Sequence, residues 1–388
     1  MGKEGFPCKL FRGAELFSPA HEGNKDLLIA GDRIARIAAH LDVPKGLDVE
    51  IVDVSDKLIV PGFIDLHVHL IGGGGEDGPT SRVPEIALSE LTQAGITTVV
   101  GVLGTDNVTR SPEALLAKVK ALGQEGISAY MYTGSYHLPS VTITGSVKRD
   151  IALIEEVIGV KVAIADHRGS QLTAHELARL ASEARLGGML GKKAGIVHLH
   201  VGRGKRGLGV IFDVVEKSEI PIGQFLPTHI SKKTASLLEQ SIEFVKKGGT
   251  VDITAHNNKN ETVSVIKDLL DSKIDPANVT ISSDGNGSMP RFNDQGELIG
   301  MTTGNVASLG EVLRNLVNSN IVSLSDALKP ITSNPADRLG IADRKGRICE
   351  GADADLVILD RDLRIEQVFA KGQLMVDNGD AVVKGTFE

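Results

Sequence analysis

Through its middle the sequence repeats one pattern: a short apolar run, a polar loop, then an amphipathic stretch. "ITTVVGVLG" leads to "SPEALLAKVKALGQEG", and "GVKVAIAD" leads to "TAHELARLASEARLGG". "AGIVHLHVG" precedes "GLGVIFDVVEKSE", and "VDITAH" precedes "ETVSVIKDLLDS". Strands that alternate with helices build a parallel sheet from βα units. About eight such units fit between residues 62 and 344, so this segment reads as a (β/α)₈ TIM-like barrel. A doubly wound open sheet is the runner-up. It is disfavoured because no G-x-G-x-x-G follows a first strand.

The two ends read differently. Residues 1–61 hold short strands with turns, "LLIAGDRIARIAAH" and "DVEIVDVSDKLIVPG", with Gly31 and Asp32 placed as a hairpin signal. Residues 345–388 repeat that style in "GRICEGADADLVILDRDLRIEQVFAKGQLMVDNG". Neither piece alone is large enough to bury a core. Together they are expected to form one small β-sandwich domain beside the α/β barrel.

Composition narrows the function. The net charge is −8, there is no Trp and aromatics are 3%, so nucleic acid is not an expected partner. No apolar run approaches the roughly 18 residues of a membrane span. The N-terminal stretch lacks a secretory apolar core. Cys8 and Cys349 are the only cysteines, which fits a reducing, cytoplasmic setting and leaves no CxxC zinc site.

In a barrel, chemistry gathers where the strands end. "FIDLHVHL" ends on His67 and His69, two residues apart and therefore on one face of a strand. A lone histidine there reads as packing. A His-x-His pair presents two imidazoles that can share a metal ion. Lys161 lies inside the apolar strand "GVKVAIAD", opposite Val160, Val162 and Ile164. It either snorkels out at the strand's start or sits in the barrel as a neutral amine able to take up CO₂. "VHLHVG" supplies His198 and His200, of which His200 is nearer the strand end and His198 is packing or a supporting contact. His229 in "PTHI" and Asp284 in "TISSDGNG" reach further strand ends.

This order of His-x-His, Lys, His, His and Asp resembles the amidohydrolase superfamily, in its branch with two metals and a carbamylated lysine. The resemblance runs along the whole chain and is strongest with the isoaspartyl dipeptidases. It rests on "PGFIDLHVHLIGGGGEDG", "GVLGTD", "YTGSYH", "VKVAIADHRGSQ", "VHLHVGRG", "PTHI" and "SSDGNGSMP". The resemblance implies that His67 and His69 hold one metal and His200 and His229 a second. It implies that Lys161, as its CO₂-derived carbamate, and a hydroxide bridge them. Asp284 would sit on the first metal and shuttle the proton. Two zinc ions per subunit suit this donor set, with Co, Mn or Ni as substitutes.

The implied activity is a metallo-dipeptidase that hydrolyses β-aspartyl dipeptides, with a small-molecule substrate and a homo-oligomer of up to eight chains. Glu76 would pair with the substrate ammonium and Arg168 with a carboxylate. Tyr136 would donate to the carbonyl oxygen as charge develops. Thr105 and Ser288 would donate to the aspartyl part. "GGGG" at 72–75 would let backbone N–H groups approach the substrate, and Asp77 has no assigned role. The family's arginine three residues after the fourth histidine is here Lys232, which keeps the charge but loses the planar fork. Arg291 could share its task. A dihydroorotase-like cyclic amidase, an N-acyl-D-amino-acid deacylase and a non-catalytic scaffold stay open as alternatives.

Overall fold

The computed structural model describes residues 8–43, 45–46, 48–231, 234–255, 259–292 and 298–388. Eight parallel strands carry the central segment: β6 (Phe63–Val68), β7 (Ile96–Gly101), β8 (Ser128–Gly134), β9 (Val157–Ile164), β10 (Ile196–Val201), β11 (Phe225–Thr228), β12 (Val251–Thr254) and β13 (Val279–Ser282). The first six form one hydrogen-bonded sheet, and β12 pairs β13. Parallel bridges Ile230↔Ile253 and Val68↔Gly285 link the two pieces and bring β13 back to β6. The expected (β/α)₈ barrel is therefore present.

The strand alternation is what places side chains. Val160, Val162 and Ile164 of β9 and Val197, Leu199 and Val201 of β10 pack in the layer shared with the helices. Lys161, His198 and His200 lie between them in sequence, are all buried, and take the other face. Each fully buried Val or Leu in that layer contributes about 1.5–3 kcal/mol. The helix Ala174–Gly191 shows how local sequence fixes this layer. Thr173 and Glu176 form a reciprocal capping box, Leu177, Leu180, Ala181 and Ala184 face inward, and Lys192 ends the helix in a left-handed conformation. Among the described residues no helix is long and apolar enough to cross a membrane.

Both chain ends build a second layer: β1 (Cys8–Phe17), β2 (His21–Ala30), β3 (Arg33–Ala38), β4 (Val49–Asp53) and β5 (Leu58–Pro61) at the start. A separate hairpin, β14 (Ser288–Phe292) and β15 (Leu298–Thr303), follows β13 within the barrel segment, and the chain's end adds β16 (Leu356–Leu359), β17 (Ile365–Ala370), β18 (Gln373–Asp377) and β19 (Asp380–Ala381) to the layer. The terminal strands join in the order β19-β18-β17-β16-β5-β1-β2-β3, with β4 on β1. Their core is separate from the barrel's and holds Phe11, Leu16, Ile29, Ile59, Leu356 and Phe369. Only Gly62 separates β5 from β6, and a Cβ there would lie 2.1 Å from Thr97 Oγ1, so no larger residue fits.

A buried ion cluster ties the two terminal segments to each other. Lys345 Nζ lies 2.7 Å from Asp353 Oδ2 and 2.5 Å from Asp355 Oδ2. Arg33 from β3 also reaches Asp353, at 2.8 Å. Replacing Lys345 with Met leaves two buried carboxylates short of their partner, which costs about 3–5 kcal/mol. Lys345→Met is expected to lower the thermal unfolding midpoint by several degrees, measured calorimetrically. An unchanged midpoint would contradict the role of the cluster.

Candidate active site and metal centre

The polar residues meet at the C-terminal ends of the barrel strands. β6 has a register shift against β7 between Asp65 and Val68, the segment that carries His67. His67 and His69 have ring centroids 5.4 Å apart, His67 and His229 5.0 Å, and His200 and His229 4.7 Å. Asp284 Oδ1 lies 3.4 Å from His67 Nε2 and 3.3 Å from His69 Nε2, and Asp284 Oδ2 is 3.8 Å from His229 Nδ1. His67, His229 and Asp284 each offer a ligand atom, all within 4.8 Å of one another. Asp284 Oδ1 is buried without a hydrogen-bond partner among the described residues. A carboxylate oxygen left so among imidazoles fits a cation, and His plus carboxylate donors suit zinc.

Burial sets the protonation of this floor. It pulls His67 well below its ordinary value, and the nearby Lys161 charge adds to the effect. It lowers His69 too, with Lys161 again adding and Asp284 opposing. Both imidazoles are thus held neutral, which is the metal-binding form. Lys161 is fully buried and pulled down to about 7 by desolvation. Its Nζ donates to the Leu103 carbonyl at 2.8 Å and lies 3.2 Å from His67 Nε2. The lysine therefore points into the cluster and does not snorkel out.

Two buried acids brace the strands below. Asp252 accepts hydrogen bonds from Thr228 at 2.6 Å, Thr280 at 2.7 Å and Ser282 at 2.5 Å, spanning β11, β12 and β13. Asp65 accepts from the backbone N–H groups of His67 and Ser283, both at 3.2 Å. Burial pushes Asp65 up to about 7 and Asp252 up to about 6.

The rim carries charge. Arg168 NH1 meets Glu76 Oε1 at 3.2 Å. The same guanidinium is gripped by Asp166, with Nε–Oδ1 at 3.0 Å and NH2–Oδ2 at 2.8 Å. Asp166 Oδ2 also lies 2.8 Å from His200 Nε2, and the Tyr136 hydroxyl lies 2.8 Å from His200 Nδ1. Burial opposes the Asp166 charge, but hydrogen bonds from His200 and Arg168 hold its carboxyl well below the usual range. Burial drives the Tyr136 hydroxyl well above its ordinary value, so it stays protonated and able to donate. Lys161 Nζ and Arg168 Cζ stand 5.4 and 5.5 Å from the Tyr136 ring centroid, which joins rim and floor.

The sequence-predicted residues thus fall into groups. His67, His69, Lys161, His200, His229 and Asp284 converge, and Tyr136, Arg168 and Glu76 lie along one side. Thr105 is half-buried just after Gly104, whose Cβ would meet the His69 ring at 3.2 Å. Ser288 opens β14, four residues past Asp284. Lys232 lies outside the described residues, as does the side chain of Arg291.

The glycine run differs from expectation. The N–H groups of Gly72, Gly73 and Gly75 donate to the carbonyls of His69, Asn286 and Ser81. A Cβ on Gly72 would lie 1.9 Å from the Val83 carbonyl oxygen. These glycines serve close loop packing, and those three amides are already spent. Asp77 uses its backbone N–H on Ser81 Oγ.

Sequence reasoning missed Asp166 and Thr254, whose hydroxyl lies 2.8 Å from His229 Nδ1. Asp166 stands two residues before Arg168 in the quoted "ADHRG", but nothing local ties it to His200.

With this geometry in view, residues 58–387 match the amidohydrolase family. The chain belongs to that family. It is similar to the β-aspartyl dipeptidase of Fervidobacterium islandicum AW-1, solved in complex with a β-Asp-Leu dipeptide. The identity is 42%, the match covers 96% of this chain and 98% of that one, and the TM-score is 0.90. The dihydroorotase of Bacillus cytotoxicus is 26% identical over 379 residues, 86% of this chain and 84% of that protein. The dihydropyrimidinase of Brevibacillus agri NCHU1002 shares the fold at 16% identity, with a TM-score of 0.66 over 97% of this chain and 96% of that one. As a member of this family the chain is a hydrolase.

Asp252 gives a test of the strand bracing. Its folded-state value of about 6 lies above the ordinary 3.8, so the folded protein binds the proton more tightly than the unfolded chain. Stability from this group therefore rises as pH falls from about 6 towards 3.8, and is absent above that window. In chelator-treated protein, the midpoint of wild type relative to Asp252→Asn should rise between pH 7 and pH 4. A pH-independent difference would contradict the assignment.

Proposed function

We propose that this enzyme is a metal-dependent dipeptidase that cleaves β-aspartyl dipeptides. The observation that carries this reading is the Glu76–Arg168 pair, 3.2 Å apart beside the His–Lys–Asp cluster. An acid and a guanidinium at one rim match a substrate with one ammonium and free carboxylates. The similarity to a β-aspartyl dipeptidase that binds β-Asp-Leu supports the same substrate class.

His67, His69, His200, His229, Asp284 and a carbamate on Lys161 would hold two divalent ions, zinc by donor type. When bound, such ions lower the pKa of a water from about 15.7 towards about 7 and polarise a carbonyl. The chain's own residues do the rest. Glu76 takes the substrate ammonium and Arg168 a carboxylate, which fixes the scissile amide over Asp284. Asp284 accepts the proton of the attacking water and returns it to the departing nitrogen as the C–N bond breaks. The protonated Tyr136 hydroxyl donates to the carbonyl oxygen as it gains charge. Thr105, Ser288 and Lys232 complete the grip on the aspartyl part.

Lys161 is suited to the carbamate because its neutral amine is the reactive form. The nitrogen attacks the carbon of CO₂ and releases a proton, giving an anion. With a value near 7, the neutral fraction rises steeply between pH 6 and pH 8. Incubation with ¹³C-bicarbonate should give a carbamate carbon signal in NMR that grows over this range and is missing in Lys161→Ala. The same signal in Lys161→Ala would refute the modification.

Hydrolysis of β-Asp-Leu should vanish with chelator and return with zinc. Cleavage of a cyclic amide in its place would favour the dihydroorotase-like reading instead. Arg168→Met should raise KM for β-Asp-Leu by about 10–100-fold, because a hydrogen-bonded charge pair contributes about 1.5–3 kcal/mol. An unchanged KM would remove Arg168 from substrate binding.

A further inference from the structure

We propose that His198 is a positioning residue that sets the tautomer of His67 and so keeps the His67 Nε2 lone pair turned to the metal centre. The inference rests on the reading of His67 as a metal ligand. His198 Nε2 lies 2.7 Å from His67 Nδ1, and both side chains are completely buried. The two nitrogens share one hydrogen, so one ring donates and the other accepts.

The neighbours of His67 decide the direction. Its other nitrogen, Nε2, lies 3.2 Å from Lys161 Nζ. Nε2 is thus the nitrogen turned to Lys161 and Asp284, and as a ligand atom it keeps its lone pair and carries no hydrogen. Asp284 Oδ1, which would attract an Nε2–H, stands 3.4 Å from Nε2, beyond ordinary hydrogen-bond length, and has no hydrogen-bond partner among the described residues. The hydrogen of the neutral His67 ring is therefore on Nδ1, and it is donated to His198 Nε2. That leaves the Nε2 lone pair facing Lys161 and Asp284, as a ligand nitrogen must.

Packing holds His198 in this task. Its ring stacks on Tyr132, with centroids 4.7 Å apart and planes 22° from parallel. Tyr132 is fully buried and part of the barrel's inner core. In the sheet His198 is level with Lys161 on β9 and Leu226 on β11, one step below the level of His200. Its Nε2 is occupied by His67, so the first histidine of "HLH" supports the centre rather than joining the ligands. A carboxylate is the usual partner for such an N–H. A neutral imidazole does the same work without adding a charge to a floor that already buries Asp65 and Asp252.

Two variants separate this role from mere packing. His198→Phe keeps a ring against Tyr132 and removes the acceptor. His198→Gln keeps an acceptor oxygen. By chelator competition, His198→Phe should bind zinc about 10–100-fold more weakly than wild type, the range for loss of an outer-shell partner. His198→Gln should recover most of that loss. In ¹⁵N spectra of metal-free protein, His67 should be protonated at Nδ1 in wild type and mixed between tautomers in His198→Phe.

His67→Ala is the reference that keeps the two readings apart. If His67→Ala loses zinc but His198→Phe binds it like wild type, the inference about His198 fails and the metal centre stands. If His67→Ala itself binds like wild type, the reading of His67 as a ligand fails and takes the inference with it. Should His198→Phe not fold, the wild-type ¹⁵N spectrum still decides, and protonation of His67 at Nε2 overturns the proposal.

Discussion

The amine of Lys161 is buried completely inside the barrel mouth, and most of the site follows from that one fact. A charge in such a place is costly unless it is neutralised or paired. Desolvation brings the lysine down to about 7 and, at the same depth, drives His67 and His198 well below their ordinary values. One physical cause thus gives three neutral nitrogen bases, on β6, β9 and β10. Neutral amines react with CO₂ and neutral imidazoles bind metals. The dryness that makes the site expensive to build is what makes its side chains chemically competent.

The rim is built on the opposite principle. Arg168 and Asp166 hold each other charged, and the Arg168 and Glu76 side chains are 35% and 24% exposed. Water screens their mutual attraction, so the Glu76–Arg168 contact adds little stability and yields readily to a zwitterion. Asp166 prevents the arginine from collapsing onto Glu76 altogether. It grips two edges of the guanidinium and leaves NH1 for other partners. Its further contact with His200 makes one carboxylate common to the charged rim and the floor.

The sequence made the barrel and the inward histidines legible because both are local signals. Strand alternation fixes which residues face inward, and strand ends are marked by glycine, proline and polar loops. The same alternation placed Lys161 opposite Val160 and Val162. Depth is another matter. Chain order already put His200 nearer the strand end than His198, but the partners at each level follow from the register of β10 against β9 and β11. Contacts between loops are illegible for a different reason. Glu76 and Arg168 are 92 positions apart, and only the resemblance linked them. Asp166 sits in ordinary loop text until the fold brings His200 to it. The glycine run misled because conformational freedom alone does not say whether a ligand or a neighbouring carbonyl makes the close approach.

Backbone strain at the ligands was equally invisible in the sequence. His229 and Asp284 both adopt left-handed backbone, with φ of 65° and 53°. Non-glycine residues enter that region at a cost of order 1–3 kcal/mol each. Glycine would relieve the strain but would delete the ligand, so the surrounding structure must hold the conformation. It does so with hydrogen bonds just below. Thr228 and Ser282, next to or near the strained residues, are tied to Asp252, and the Ser283 N–H is tied to Asp65. A hydrogen bond contributes about 0.5–1.5 kcal/mol net, and the several to these two acids together offset strain at two positions. The buried acids therefore have a role that burial alone would argue against. They fasten the ends of β11 and β13 so that His229 and Asp284 can turn inward where an unstrained chain would turn away.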